Sequence, residues 1–283
     1  MRADLLPISA SRDEAGRLQI AGLDLRQLAQ TWGTPLYLYD AATVRHQAEL
    51  LHALMREAYP AAFDITYAAK AYFSLGMARK LASLNLGVDE VRLSELEVAR
   101  AAGFSAERVH LHGNNKSEEE LRAALAWDVQ AIVVDSLEEL STLEKLASKA
   151  GKRARIWLRI TPGVTVDTHK YVQTAHHASK FGLSIAGGQA ALGISRALGS
   201  RRVRLTGLHT HLGSQFFKAE PYREAIGMLL ELAEREGFVP EELSPGGGWG
   251  VPYTNQAAGN DPHPWVGTVC AAVIEEYQRR VAA

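Results

Sequence analysis

The sequence has almost no cysteine, no excess of charge of either sign and no long apolar run. Its single cysteine, Cys270, excludes an intramolecular disulfide. The 31 basic and 32 acidic residues give a formal net charge of −1, which gives no reason to expect a nucleic-acid or membrane-surface partner. No signal peptide and no apolar run of roughly 18 residues is recognisable. These absences favour a cytoplasmic protein that binds small molecules.

The 283 residues contain a repeating pattern of strand-like apolar runs, each followed by a helical pattern. Such alternation predicts right-handed crossovers and a parallel α/β sheet. Further predictions are helices over residues 25–31, 41–58 and 266–280, and a strand over residues 35–40. The seven repeating strands are predicted at residues 63–68, 87–91, 108–112, 131–135, 154–160, 203–211 and 242–247.

Seven βα units are one fewer than the eight that close a (β/α)8 TIM barrel. Either the sequence pattern does not reveal one strand, or the chain stops before its barrel closes. The first strand–helix turn reads YAAKAYFSLG and lacks a Gly-rich dinucleotide fingerprint, which favours an incomplete barrel over an open doubly wound sheet. Residues 1–34 are then a lead-in segment, and residues 35–283 form one barrel domain. The irregular segment 161–184 has a length that is usually functional.

In a barrel, the side chains that follow the strands meet at one mouth. Lys70 is a surface lysine on the simplest interpretation, but a strand end is also where a desolvated amine acts as a nucleophile. The strand-end residues are Lys70, Asp89, Glu95, the run from His112 to Lys116, Asp135, Arg159, His209, His211, Ser214, Gly246, Gly247 and Gly248.

Three glycines after a strand allow backbone N–H groups to converge on an anion, and Ser214 can add a hydroxyl to the same phosphate. The alternative is a flexible turn before Trp249. His209 and His211 lie two residues apart on a strand and therefore share one face. This arrangement suits a pair of metal ligands, a stacking surface or a histidine in the core. A strand-end lysine, an anion site and a flat side chain together are what pyridoxal 5′-phosphate requires.

Five motifs then occur together and in order: YAAK at 67–70, HGNNKS at 112–117, SKFG at 179–182, GLHTHLGSQ at 207–215 and PGGGWG at 245–250. With these motifs the chain from about residue 33 onward resembles the diaminopimelate decarboxylases, fold-type III pyridoxal-phosphate enzymes with an alanine-racemase-like barrel. HGNNKS and GSQ favour this enzyme over the related ornithine and arginine decarboxylases.

The resemblance implies roles for nine residues. Lys70 becomes the Schiff-base lysine, and His211 stacks on the cofactor ring. Ser214, Gly246, Gly247 and Gly248 surround the phosphate, and Asp89, Glu95 and Arg159 line the cofactor pocket. It further implies decarboxylation of meso-2,6-diaminopimelate to L-lysine, the last step of lysine biosynthesis, by a full-length enzyme of which this chain is a fragment. That enzyme is expected to be a homodimer and to need no metal.

The chain departs from the family pattern at three places. Arg92 and Ser94 replace two small residues of a Ser-x-Gly-Glu motif, where they could crowd the pocket, and Ala175 replaces a glycine. The family's Glu-Pro-Gly-Arg motif and C-terminal β-domain are absent, which leaves two strand edges unpaired.

Three alternatives stay open. One is a non-catalytic pyridoxal-phosphate-binding barrel, and another is a related basic amino-acid decarboxylase. The third is a metal-dependent hydrolase built on His209 and His211.

Overall fold

The computed structural model describes residues 5–164, 180–251 and 263–281. The chain opens with a small antiparallel sheet of β1 (Ala10–Arg12), β2 (Leu18–Ile20) and β3 (Leu23–Asp24), followed by helices α1 (Leu25–Trp32) and α2 (Ala41–Ala58). The Asp40 carboxylate caps α2 by accepting the N–H groups of Ala42 and Thr43. Both helices were predicted, but the strands of the small sheet are too short to give a periodic signal.

The predicted strand over residues 35–40 is wrong. Residues 36–40 have no regular secondary structure, and Tyr37 is 88% exposed. No strand of the described ranges lies beside this segment, so its alternating apolar pattern has nothing to pair with. The ring of Tyr39 stacks instead on Tyr72, with centroids 4.2 Å apart.

Seven parallel strands form the main sheet and confirm the α/β fold with seven βα units. They are β4 (Thr66–Ala68), β5 (Gly87–Glu90), β6 (Val109–Leu111), β7 (Ala131–Val134), β8 (Ala154–Thr161), β10 (Val203–His209) and β11 (Glu242–Ser244), and a short β9 (Leu183–Ser184) pairs with β8. The helices between and after them are α3 (Leu75–Ser83), α4 (Leu93–Ala102), α5 (Glu118–Trp127), α6 (Leu137–Ala150), α7 (Gln189–Gly199), α8 (Glu220–Arg235) and α9 (His263–Val281).

The sheet is strongly curled. The spatial order is β11-β10-β8-β7-β6-β5-β4, so three strand spacings, about 14 Å in a flat sheet, separate β6 from β10. Yet the rings of His112, just after β6, and His209, at the end of β10, have centroids 4.8 Å apart. Curling brings these ends together across the concave face, and among the described residues β4 and β11 remain its two open edges.

The two faces of this sheet have different chemistry. Its convex face is apolar and packs under the helices as the main core, with fully buried residues such as Val88, Leu111 and Ile156. The alternate positions point into the concave interior, where Asp89, His110 and Trp157 lie. Because strand side chains alternate between faces, one sequence run supplies both the core and the lining of the interior.

Candidate active site

Lys70 lies two residues after the end of β4, in the middle of a short 3-10 helix, Ala69–Ala71. Ala69 is buried and anchors this turn, whereas the Lys70 side chain is exposed. The expectation of a desolvated amine is therefore wrong for this structure. The Lys70 ammonium is close enough to His211 to act on its protonation, which places the amine at the carboxyl end of the sheet beside the segment that follows β10.

His211 is half-buried directly after β10. Burial, followed by the positive charges of Lys70 and Arg159, lowers the pKa of His211 to about 3. The imidazole is therefore neutral at physiological pH. A neutral imidazole held beside an amine offers a flat face to an aromatic ligand, as the predicted stacking role requires.

The loop Gly246–Gly248 packs against the same segment. Gly246 and Gly248 have φ angles of +76° and +98°, and a Cβ on them would overlap the carbonyl oxygens of Thr210 and Gly213, respectively. A Cβ on Gly246 would also lie 3.1 Å from His211 Nδ1. The close packing argues against a freely flexible turn and places the loop beside His211.

Gly247 differs from its two neighbours because no atom of the described residues lies within 4 Å of the place where its Cβ would stand. The N–H groups of Gly247 and Gly248 have no acceptor among the described residues. Ser214 is half-buried on the segment that carries His211. Unpaired backbone donors on a glycine loop fit a phosphate group.

Asp89 faces two histidines inside the curled sheet. Its Oδ1 lies 3.3 Å from His110 Nδ1 and 3.5 Å from His112 Nε2. Burial opposes ionisation of Asp89, but the two imidazoles outweigh it and hold the pKa of the carboxyl well below its usual range. Burial also lowers the pKa of His112. The arrangement that satisfies both directions is an ionised Asp89 beside a neutral His112.

Arg159 supplies a buried positive charge next to this group. Its Nη1 lies 3.5 Å from Asp135 Oδ1, and its guanidinium stands 4.5 Å from the centroid of the Phe181 ring. The side chain acts electrostatically on both His209 and His211. Burial, followed by electrostatic interactions with His112 and Arg159, lowers the pKa of His209 well below its usual range, so this histidine is also neutral.

Glu95 has a different position from the other predicted residues. Its Oε2 accepts the Val91 N–H at 2.7 Å and so stabilises the turn between β5 and α4. Nothing in the described structure brings Glu95 into contact with Lys70 or His211. Arg92 and Ser94, the two departures near this turn, are both exposed, and Ala175 lies outside the described residues.

Sequence reasoning missed two side chains that shape the site. His110 contacts Asp89 and packs on Trp157, with ring centroids 4.4 Å apart. Tyr222 donates its hydroxyl proton to the Gly247 carbonyl. Of these two, His110 had a signal, because it shares strand parity with His112. Lys116, which was among the strand-end residues, is buried in an ion pair with Glu139.

Comparison with known proteins identifies the family once this geometry is established. Residues 45–281 match the family described as pyridoxal-dependent decarboxylase, pyridoxal binding domain. The chain belongs to this family. Its cofactor is pyridoxal 5′-phosphate, and the lysine, the neutral histidine and the unpaired glycine N–H groups fit that molecule.

Several relatives carry the name diaminopimelate decarboxylase. The diaminopimelate decarboxylase of Bacillus subtilis is 38% identical over 275 residues, which are 96% of this chain and 62% of that protein. The diaminopimelate decarboxylase of M. jannaschii in complex with L-lysine has a TM-score of 0.83 at 28% identity, over 97% of this chain and 64% of that one. The Helicobacter pylori enzyme with L-lysine has a TM-score of 0.80 at 30% identity, over 89% and 63%.

The pyridoxal-binding chain thus spans about three fifths of the length of the relatives that it matches. The match confirms the alanine-racemase-like barrel in an incomplete form. The described ranges hold no group of three or more His, Cys, Asp or Glu side chains arranged for a metal ion. Nor is any helix of the described part long and apolar enough to cross a membrane.

Proposed function

We propose that this protein decarboxylates meso-2,6-diaminopimelate to L-lysine with pyridoxal 5′-phosphate, in the last step of lysine biosynthesis. The observation that carries the proposal is the grouping of Lys70, a neutral His211 and the Gly246–Gly248 loop at the carboxyl end of one curled sheet. The similarity to enzymes named diaminopimelate decarboxylase over nearly the whole chain supports this substrate.

Each residue has a definite task in this proposal. Lys70 would supply the amine that holds the cofactor through its aldehyde group. His211 packs its neutral ring against the cofactor ring. When bound, the cofactor accepts the electron pair that is released as carbon dioxide leaves.

The phosphate is held by the Gly247 and Gly248 N–H groups, with Gly246 giving the loop its path and Ser214 adding a hydroxyl. Asp89 and Arg159 place one negative and one positive charge in the lining. Glu95 acts from further away by fixing the turn after β5.

The organisation of the protein follows from the same proposal. Residues 1–34 form a lead-in segment, and residues 35–283 form the cofactor-binding barrel. We propose a cytoplasmic location, since the substrate belongs to amino-acid biosynthesis, and a homodimer for the full-length protein.

The test compares Lys70→Ala with Lys145→Ala, an exposed lysine on α6. Lys70→Ala should lose the visible absorbance band of the lysine-bound cofactor and the release of L-lysine from diaminopimelate, whereas Lys145→Ala should retain both. Cofactor binding without decarboxylation of any amino acid would favour the non-catalytic barrel. Turnover of L-ornithine or L-arginine in place of diaminopimelate would replace the proposed substrate.

A further inference from the structure

Tyr222 is a buried tyrosine in the first turn of α8, outside the motifs that identify the family. Its ring lies edge-on to Trp265 at 5.3 Å and to Phe216 at 6.2 Å between centroids. No part of the side chain is exposed, and burial raises the pKa of its phenol, so the hydroxyl stays protonated. A buried hydroxyl needs an acceptor, and the hydroxyl of Tyr222 finds it in the Gly247 carbonyl.

This hydrogen bond fixes the peptide group between Gly247 and Gly248. Phe216 N–H donates to the next carbonyl, that of Gly248, at 3.0 Å. In a trans peptide the C=O and N–H groups point in opposite directions. Holding the Gly247 carbonyl toward α8 therefore turns the Gly248 N–H to the opposite side. Without that anchor, the peptide between two glycines would sample many orientations.

We infer that the Tyr222 hydroxyl is a positioning group for the cofactor phosphate, because it orients the Gly248 N–H as an anion donor. Tyr222 itself does not touch the cofactor. The inference rests on the proposed cofactor role of the glycine loop. It adds a cause for the orientation of the loop. The loop follows β11, whereas Tyr222 lies in α8, the helix that follows β10.

The test separates the phosphate from the rest of the cofactor. Affinities of pyridoxal 5′-phosphate and of pyridoxal, which lacks the phosphate, are measured by absorbance for the wild type, Tyr222→Phe and Tyr37→Phe. Tyr37 is an exposed tyrosine, so its variant is the matched loss of a hydroxyl. Loss of one neutral hydrogen bond should weaken pyridoxal 5′-phosphate binding by about three- to tenfold in Tyr222→Phe.

Pyridoxal binding should stay within about twofold of the wild type in both variants, since pyridoxal makes no phosphate contact. Equal weakening of both ligands would reduce Tyr222 to a purely structural role and overturn the inference. An unchanged affinity for pyridoxal 5′-phosphate would overturn it as well. A wild-type protein that binds neither ligand would instead remove the cofactor assignment on which the inference rests.

A measurement on the wild type covers the case in which Tyr222→Phe does not fold. In a spectrum of the ¹⁵N-glycine-labelled protein, inorganic phosphate should shift the Gly248 amide signal and leave that of Gly16 unmoved. Gly16 lies in the turn between β1 and β2, far along the chain from the glycine loop. An unmoved Gly248 signal would overturn the inference.

Discussion

At the scale of single residues, Glu90 stands out because it is a fully buried carboxyl group on the convex side of β5. Neither of its oxygens has a hydrogen-bond partner among the described residues. Burial, followed by the charges of Glu95 and Asp89, raises the pKa of Glu90 to about 8. The folded protein therefore keeps Glu90 protonated at neutral pH, whereas the unfolded chain ionises it near its ordinary pKa of 4.5.

This difference makes the stability pH-dependent. A raised pKa in the folded state favours folding below about pH 4.5 and costs stability progressively as pH rises toward 8. Glu90→Gln keeps the shape of the protonated acid and cannot ionise. We expect it to be more stable than the wild type by roughly 2–4 kcal/mol at pH 8 and equal to it near pH 4.5, as measured by urea unfolding.

Glu97→Gln is the matched control, since Glu97 is exposed on the neighbouring helix. It should change the free energy of unfolding by less than about 0.5 kcal/mol at either pH. If Glu90→Gln has the same small effect at pH 8, Glu90 is not held protonated in the folded protein.

At the scale of elements, Lys116 connects three parts of the fold. Its Nζ donates to the Gly113 carbonyl at 2.7 Å, the Val133 carbonyl at 2.6 Å and Glu139 Oε1 at 2.7 Å. The side chain is fully buried, and that of Glu139 is 7% exposed. All three donors of the ammonium are thus satisfied, and they join the loop after β6 to the end of β7 and the start of α6. The loop carries His112, so this buried group also supports the interior site.

Removing one partner of a buried ion pair leaves the other charge uncompensated. Lys116→Met should therefore lower the free energy of unfolding by about 3 kcal/mol in denaturant titrations. The double variant Lys116→Met/Glu139→Gln should recover part of this loss. The control is Arg122→Met, which breaks an exposed pair with Glu118 and should cost less than about 1 kcal/mol. Equal losses for Lys116→Met and Arg122→Met would contradict the bridging role.

Sequence reasoning succeeded at this scale where local signals and tertiary packing agree. Helix α2 was predicted with its bounds, because its apolar spacing is helical. In the structure Asp40 also caps its first turn. The segment over residues 35–40 has an equally good strand pattern, yet a strand also needs a partner, which the pattern cannot supply. The same limit explains why the role of Tyr222 was not predicted. Its hydroxyl contacts the Gly247 carbonyl only because two βα units pack together.

At the scale of the whole molecule, the count of seven βα units was predictable because each strand has its own apolar run. The candidate site was predictable as a set of strand ends, but its internal electrostatics were not. That His211 is neutral and Asp89 ionised depends on burial and on neighbours from other strands. Whether the sheet closes is likewise a property of the assembled strands, and in the described residues it stays open between β4 and β11.

The open edges predict an uneven stability across the sheet. Every residue of β7 is buried at the centre, whereas all residues of β4 and β11 are half-buried at the edges. Edge strands that open locally exchange their amide hydrogens faster than strands paired on both sides. In hydrogen-exchange mass spectrometry, peptides that cover β4 and β11 should exchange at least about tenfold faster than those that cover β7. Equal protection of the edge and central strands would mean that additional polypeptide covers β4 and β11 in the purified protein.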